Sequence, residues 1–175
     1  MTAASEKAKK VKIAVFDVDG VMTDGALYYS SKGDELKAFN VKDGLGIKLL
    51  QKHGIKTAII TGRSSELVNR RANELGFDYW YQGREDKITA LNELLSDIGM
   101  QLEDVGYMGD DLPDLPAIRH AGFGATVADG TQLVLKHADW ISNHRGGHGA
   151  VREFCEFILD AQGHLAHYHQ SCLSK

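Results

Sequence analysis

An apolar run near the start of the chain ends at two acidic residues, and this junction limits the folds that the sequence can adopt. Residues 11–16 have the character of a buried strand, and Asp17 and Asp19 follow them directly. In open α/β sheets, ligands bind at the carboxyl ends of the strands, which is where these two residues are expected. One carboxylate could attack an electrophile while the other moves a proton.

The rest of the chain alternates between apolar runs and helical patterns, as in repeated strand–helix units. Further strands are predicted at 56–60, 78–81, 104–108, 122–127 and 139–141. Helices are predicted from a cap at Asp43 to about 54, from a cap at Ser64 or Ser65 to 76, at 85–98, after Pro113, at 131–137, and from about 149. The pattern predicts an α/β fold with a doubly wound, mostly parallel sheet wrapped by helices.

Residues 26–40 interrupt this alternation. Two extended pieces around a Lys-Gly-Asp turn predict a β-hairpin, and a segment this short is an insertion because it cannot bury a core of its own. Its apolar side chains could pack on their own domain or contact another subunit. Since an isolated hairpin is marginally stable, we favour subunit contact. The side chains concerned are Leu27, Tyr28, Tyr29, Leu36 and Phe39.

Length, composition and net charge limit the domain organisation, partners and location of the chain. With 175 residues, of which 43% are hydrophobic, we predict a frayed leader at 1–10, one domain at 11–162 and a tail at 163–175. A net charge of −4 without a long basic run argues against a nucleic-acid partner. No apolar stretch approaches the length of a membrane span. Two cysteines and no apolar leader favour the cytoplasm.

Other polar residues lie where predicted elements meet the same edge of the sheet. Thr61 and Asp110 follow strands, and Lys87 begins a helix. Several carboxylates in one crevice repel one another unless a cation lies between them, and Mg²⁺ prefers such oxygen ligands. Asp111 is interpreted as a helix cap, and Asp114 as a residue that could orient Lys87 or a metal-bound water. Histidines in the tail are not interpreted as a metal site.

These motifs resemble those of the haloacid dehalogenase superfamily of phosphatases. The four segments, in their usual order, are Asp17-Val18-Asp19-Gly20, Ile60-Thr61-Gly62-Arg63, Lys87, and Gly109-Asp110-Asp111-Leu112-Pro113-Asp114. The resemblance implies that Asp17 is a nucleophile and Asp19 a general acid/base. It also implies that Thr61 and Lys87 hold the phosphoryl group. Asp17, Asp19 (through its carbonyl) and Asp110 would bind the Mg²⁺ ion.

A narrower resemblance covers residues 11 to 160. The segments 17–25, 40–44 and 146–153, with the small hairpin in place of a large cap, are similar to 3-deoxy-D-manno-octulosonate 8-phosphate (KDO 8-phosphate) phosphatases. It implies a cytoplasmic Mg²⁺ enzyme that releases phosphate from an eight-carbon sugar acid for lipopolysaccharide synthesis. It also implies a homotetramer in which the hairpins form a barrel and a neighbouring subunit covers each active site.

The same resemblance implies a set of substrate-contact residues, and the cations among them suit a ligand with two anionic ends. Which cation meets the sugar carboxylate stays open. The set is Asp19, Asn40, Val41, Lys42, Asp43, Gly44, Lys48, Arg63, Arg71 and Lys87.

Three alternatives are kept. A nine-carbon sialic- or KDN-type 9-phosphate would need only a different sugar pocket. A phospho-accepting receiver domain uses similar residues, but it places its acceptor on a middle strand, where this chain has Thr61. A catalytically silent subunit that only organises a partner is disfavoured because all four motifs are intact.

Overall fold

The helices and strands follow one another in nearly the predicted order. The computed structural model describes residues 2–33 and 35–174. Its helices are α1 (Ala3–Ala8), α2 (Val41–Lys52), α3 (Glu66–Leu75), α4 (Lys87–Ile98), α5 (Leu115–His120), α6 (Gln132–His137), α7 (Ala150–Ala161) and α8 (Leu165–Leu173). Its strands are β1 (Ile13–Phe16), β2 (Tyr28–Tyr29), β3 (Glu35–Leu36), β4 (Lys56–Ile60), β5 (Tyr79–Tyr81), β6 (Val105–Gly109), β7 (Phe123–Thr126) and β8 (Trp140–Ile141). Across these two ranges, no helix has the length and apolar character that crossing a bilayer requires.

The main sheet confirms the predicted doubly wound architecture. Its strands are ordered β5-β4-β1-β6-β7-β8, and every neighbouring pair is parallel. β1 lies between β4 and β6, so the chain winds outward from it in both directions. Each residue of β1 is buried, as expected for a central strand covered on both faces. Strand order reverses at β1, and in such sheets the ligand crevice opens beyond the carboxyl ends of the strands at that point.

Two apolar layers sandwich the sheet. On one face, Phe154 of α7 packs against Phe16 and Phe123, with ring centroids 5.7 and 5.5 Å apart. On the other face, Leu91 of α4 belongs to a cluster that includes Tyr107 of β6. Because both faces are covered by packed helices, the strand ends are held in fixed relative positions.

The hairpin forms a separate sheet of two strands. β2 and β3 are antiparallel, with Tyr28 opposite Leu36 and Tyr29 opposite Glu35. The aspartate of the predicted turn lies outside the described residues. Tyr29 and Leu36 are each 62% exposed, whereas Phe39 packs against the core of its own domain. The predicted insertion is therefore present, and Phe39 packs on its own domain. The subunit contact that we favoured for the exposed residues stays a prediction.

Both chain ends are more regular than the sequence predicts. The prediction of a frayed leader is wrong for 3–8, which form α1 because Thr2 caps an alanine-rich segment. Ala8 is buried, and Lys7 Nζ lies 2.6 Å from Asp139 Oδ1. The tail contains α8, in which no residue is fully buried, although Tyr168 packs partly against the core. The domain boundaries at residues 10 and 162 stay predictions.

Asp43 does not cap α2, as the sequence predicted. Asn40 does so, accepting a hydrogen bond from the Lys42 N–H at 2.9 Å, because α2 begins at Val41, before the predicted cap. The buried carboxylate of Asp43 instead accepts the Arg152 N–H at 2.9 Å and thus ties α2 to α7. Its second oxygen, Oδ2, is buried without a hydrogen-bond partner. Burial raises the pKa of Asp43 to about 6 against the opposing effects of Arg152, Arg71 and His144.

We expect Asp43→Asn to flatten the pH dependence of stability. The folded chain holds the Asp43 proton more tightly than the unfolded chain, so this group contributes stability below about pH 4 that is lost as the pH rises through about 6. Asparagine stays neutral and still accepts the Arg152 N–H. The free energy of unfolding of the variant, relative to the parent, should rise by roughly 1–3 kcal/mol between pH 4.5 and 7.5. Urea denaturation across this range measures it. Asp160→Asn, at an exposed position, is the control, and parallel profiles for parent and Asp43→Asn would refute the expectation.

Candidate active site

A tight loop after β1 aims the two acidic residues into the crevice. The carbonyl of Val18 accepts hydrogen bonds from the N–H groups of residues 21, 22 and 23. The Thr23 hydroxyl accepts the N–H groups of Gly20 and Gly25 at 3.4 and 3.2 Å. The N–H of Asp17 donates to the Met108 carbonyl at 3.0 Å, so the loop is anchored to the neighbouring strand β6. This backbone network fixes where both carboxylates leave the main chain.

The glycine-rich segment 146–149 supports this loop from behind. The N–H of Gly147 donates to the Val21 carbonyl at 2.9 Å, and the Asn40 side chain donates to the Gly147 carbonyl at 3.2 Å. A Cβ at Gly146 would lie 1.8 Å from the Gly20 carbonyl oxygen. The sequence indicated this segment only through resemblance, and the contact explains why glycine is required there.

A cavity of about 590 Å³ opens at the predicted edge of the sheet. It brings together the side chains that the sequence predicted to act on phosphate, although they are far apart along the chain. The cavity is lined by Asp17, Asp19, Gly25, Thr61, Gly62, Arg63, Glu85, Lys87, Asp110, Asp111, Pro113 and Asp114.

Lys87 links two carboxylates at the base of the cavity. Its ammonium nitrogen lies 2.9 Å from Asp17 Oδ1 and 2.7 Å from Asp114 Oδ1, and all three side chains are almost completely buried. Burial alone would lower the pKa of Lys87, but Asp17 and Asp114 outweigh it and raise that pKa. Lys87 is therefore a permanent positive charge beside Asp17.

Asp114 holds the other groups at the floor of the cavity in place. Its Oδ1 accepts hydrogen bonds from Lys87 and from the Tyr107 hydroxyl at 2.9 Å. Its Oδ2 accepts the N–H groups of Asp110 and Asp111 at 3.1 and 3.2 Å. Because both oxygens are engaged, Asp114 positions its neighbours, as one interpretation of the sequence suggested. Tyr107 was missed because a tyrosine within an apolar strand is typical of ordinary core.

Asp110 offers the clearest sign of a cation site. Its Oδ1 is buried without a hydrogen-bond partner, and carboxylate oxygens of Asp17, Asp110 and Asp114 lie within 4.8 Å of one another. Three carboxylates share one ammonium, so two negative charges are left without compensation when all are ionised. A buried charge of this kind needs a partner, and clustered carboxylate oxygens suit a small hard cation. These residues therefore fit the predicted Mg²⁺.

The pKa values of Asp17 and Asp110 are raised, first by burial and then by repulsion from neighbouring carboxylates. Burial raises the pKa of Asp17 to about 7, helped by Asp114 and opposed by Lys87. Burial raises the pKa of Asp110 to about 8, helped by Asp114 and Asp17. A bound cation would favour the ionised forms that metal binding and nucleophilic attack both require.

Several predicted substrate residues lie outside the lining of this cavity. Arg71 lines a second cavity of about 300 Å³, where its guanidinium lies 5.6 Å from the Phe39 ring and donates to the Asn40 carbonyl at 3.3 Å. Gly44 lets α2 approach it, since a Cβ there would lie 2.7 Å from Arg71 Nη2. Val41, Lys42 and Lys48 are exposed on α2, and Asp43 is buried against α7.

The hairpin adds charged residues that the sequence pattern did not single out. Lys37 Nζ forms an ion pair with Asp19 Oδ1 and lies 3.5 Å from Glu35 Oε1. Arg63 contacts the same two carboxylates, with Nε 3.7 Å from Asp19 Oδ2 and Nη2 3.2 Å from Glu35 Oε1. Strand alternation could have indicated this, since Glu35 and Lys37 are two residues apart around the exposed Leu36.

Comparisons with known proteins place this geometry in a class. Residues 81–154 match the family described as haloacid dehalogenase-like hydrolase. The 3-deoxy-D-manno-octulosonate 8-phosphate phosphatase KdsC of Yersinia pestis is 47% identical over 160 residues, which cover 91% of this chain and 86% of the relative.

Two solved structures are similar throughout. The Moraxella catarrhalis 3-deoxy-D-manno-octulosonate 8-phosphate phosphatase, in complex with magnesium, phosphate and KDO, has a TM-score of 0.96 and 48% identity, covering 98% of both chains. The cobalt-bound deoxy-D-mannose-octulosonate 8-phosphate phosphatase of Haemophilus influenzae has a TM-score of 0.88 and 40% identity, covering 91% of this chain and 94% of that one.

The fold and the acidic cavity thus define a haloacid dehalogenase-like hydrolase. More narrowly, the chain belongs to the family of 3-deoxy-D-manno-octulosonate 8-phosphate phosphatases. This membership favours a phosphatase over the receiver domain that the acidic residues alone left open.

We expect Gly20→Ala to weaken cation binding through Asp110. Gly20 has a φ of +92°, and a Cβ there would lie 2.2 Å from Asp110 Oδ2. Gly33 has a similar φ of +84°, and a Cβ there would have nothing within 4 Å, so Gly33→Ala is a matched control. Both variants should lose roughly 1–2 kcal/mol of stability to backbone strain. Calorimetric titration should show a loss of Mg²⁺ affinity of about tenfold or more for Gly20→Ala alone. Equal affinities in the two variants would contradict this account.

Proposed function

We propose that this chain hydrolyses KDO 8-phosphate to KDO and inorganic phosphate through a phosphorylated Asp17. The observation that carries the proposal is the buried arrangement of Asp17, Lys87, Asp114 and Asp110 at the switch point of the sheet. The family membership supports the substrate, since the relatives are phosphatases of this sugar phosphate.

Asp17 is the proposed nucleophile. It attacks the phosphorus atom, the bond between phosphorus and the sugar oxygen breaks, and an acyl phosphate forms on its carboxylate. Lys87, 2.9 Å from Asp17 Oδ1, offsets negative charge on the transferring group. The buried Thr61, which lines the same cavity, is proposed to donate a hydrogen bond to a phosphoryl oxygen.

Asp19 is the proposed general acid and base. It gives a proton to the departing sugar oxygen in the first step and accepts one from the attacking water in the second, so it ends each cycle as it began. The placement of Asp19 on the cavity wall, two residues from Asp17, supports this division of roles. The attack of water on phosphorus frees Asp17 and releases inorganic phosphate.

Mg²⁺ is the proposed cofactor, held by the carboxylates of Asp17 and Asp110 and by the main-chain carbonyl of Asp19. When bound, it supplies positive charge and Lewis acidity to the phosphoryl oxygens. Asp114 contributes by holding Lys87 and the backbone of residues 110 and 111 in place.

The sugar acid needs cations at both ends. Arg63 lies on the cavity wall, and Arg71 lies in the second cavity beside Lys37. We propose that these arginines face the sugar acid. The exposed Lys42 and Lys48 and the α2 start at Asn40 and Val41 could complete the site of a neighbouring subunit. Gly44 and Asp43 would then serve mainly to place α2.

We propose that the chain works as a homotetramer in the cytoplasm, in lipopolysaccharide synthesis. The exposed Tyr28 and Leu36, which pair across the hairpin, and Val41 at 80% exposure offer apolar surface to such an interface. Sedimentation of the purified chain tests the subunit number, and a monomer at assay concentrations would contradict the tetramer.

A panel of sugar phosphates tests the function most directly. With Mg²⁺, we expect selective release of phosphate from KDO 8-phosphate over a nine-carbon sugar acid 9-phosphate and over simple hexose phosphates. Chelation should remove the activity, and Asp17→Asn should lower kcat by at least about 10³-fold because the nucleophile is lost. The measurement is the rate at which inorganic phosphate is released from each ester.

Asp97→Asn, which changes an exposed carboxylate, is the matched control and should keep full activity. Preference for the nine-carbon ester would replace the substrate while keeping the chemistry. Undiminished turnover by Asp17→Asn would overturn the proposed mechanism.

A further inference from the structure

Lys37 is an unusual residue because its charge is buried in an inserted hairpin. Its side chain is 2% exposed, and its ammonium forms an ion pair with Asp19 Oδ1. A buried ammonium is stable only when it is paired, so this contact is a built feature of the fold. Glu35 Oε1, 3.5 Å away, holds the same ammonium from the hairpin side.

The strand geometry of the hairpin places Lys37 against Asp19. Side chains alternate along a strand, so Glu35 and Lys37 point to one side while Leu36 points to the other and is exposed. Tyr29, opposite Glu35 in the register, places its hydroxyl 3.4 Å from Arg63 Nη2 on the same side. The side of the hairpin that faces the domain is therefore polar and converges on Asp19.

Asp19 is held at both of its oxygens. Lys37 contacts Oδ1, and Arg63 Nε lies 3.7 Å from Oδ2. The Arg63 side chain is 46% exposed, so Lys37 is the more constrained of the two partners. A carboxylate on a loop samples several side-chain rotamers, and a buried charged partner removes that freedom.

We propose that Lys37 is a positioning residue, whose ammonium holds Asp19 Oδ1 so that Oδ2, which carries the proton in the first step, faces the leaving oxygen. The inference rests on the proposed role of Asp19 as general acid. Lys37 keeps its own proton throughout, and the transferred proton passes from Asp19 to the ester oxygen as the bond to phosphorus breaks. The insertion thus contributes to catalysis within its own chain.

A direct contact between Lys37 and substrate is the main rival. Lys37 also lines the second cavity, beside Arg71. Its side chain is nevertheless 2% exposed and its ammonium already has two carboxylate neighbours, which argues against a direct contact. The two roles differ in one measurable respect. Positioning of an acid matters more as the leaving group becomes more basic, whereas a binding contact does not depend on leaving-group basicity.

Two aryl esters separate these roles, because they have similar shapes and no sugar carboxylate. Phenol is a more basic leaving group than p-nitrophenol and depends more on protonation. For Lys37→Met, we expect kcat/KM to fall by about 10–100-fold with phenyl phosphate and by less than about 3-fold with p-nitrophenyl phosphate. Lys37→Arg, which keeps a buried donor, should recover part of the loss with phenyl phosphate.

Two further variants complete the design. Lys32→Met changes an exposed lysine of the same hairpin and should leave both rates unchanged. In the background of Asp19→Asn, Lys37→Met should have little further effect, since the residue that it positions is already disabled. Thermal unfolding and circular dichroism of each variant verify that the fold is kept.

The outcomes are distinct. An equal loss with both esters, no loss with either, or additive losses in the double variant would overturn the positioning role of Lys37 while leaving the proposed function standing. Full turnover by Asp17→Asn on the same esters, or no turnover of any phosphate ester by the parent, would instead remove the proposed function, and this inference with it.

Discussion

The ion-pair network of Lys87 with Asp17 and Asp114 is the interaction on which the rest of the site depends. Burying carboxylates is unfavourable unless each finds a partner, and one ammonium serves both Asp17 and Asp114 here. Asp114 in turn accepts the backbone N–H groups that begin the 110–114 turn. The same contacts therefore hold the proposed nucleophile, the lysine proposed to bind phosphate and the loop that carries Asp110.

The cluster has three carboxylates and one ammonium, and the uncompensated negative charge makes it suitable for binding a cation. Asp110 retains a buried oxygen without a hydrogen-bond partner, which a packed core would not tolerate without a ligand. The hairpin supplies a second charged group around Asp19 through Lys37 and Glu35. The domain thus holds Asp17, the carboxylate proposed to attack, and the insertion contacts Asp19, the carboxylate proposed to transfer a proton.

Sequence reasoning recovered the parts of this molecule that depend on local pattern. The strand before Asp17, the order of the strand–helix units and the hairpin were all predictable, because apolar periodicity and turn residues act over short distances. Asp17, Asp19, Thr61 and Asp110 line the main cavity, as their positions after predicted strands indicated. Ser65, one of the two predicted caps, precedes α3, and the helix ends at Leu75, next to the predicted end at Gly76.

What could not be predicted depends on contacts between distant segments. Asp43 accepts an N–H of Arg152 in the first turn of α7, 109 residues away, whereas the local pattern assigned it to the start of α2. Tyr107 is typical of a core residue until its hydroxyl is seen to meet Asp114. Lys37 looks like a solvated lysine until the hairpin folds over Asp19. The helix at the start of the chain has a local cap at Thr2, but its contacts with the domain, through Ala8 and through Lys7 and Asp139, join distant segments.

The most direct test of the acidic cluster is the proton balance of metal binding. Mg²⁺ is titrated into the chain at pH 7 by calorimetry, in two buffers of different ionisation enthalpy. Because the pKa values of Asp17 and Asp110 are raised to about 7 and about 8, cation binding should release protons, and the observed heats should differ between buffers. Equal heats in both buffers, or no binding, would contradict the account.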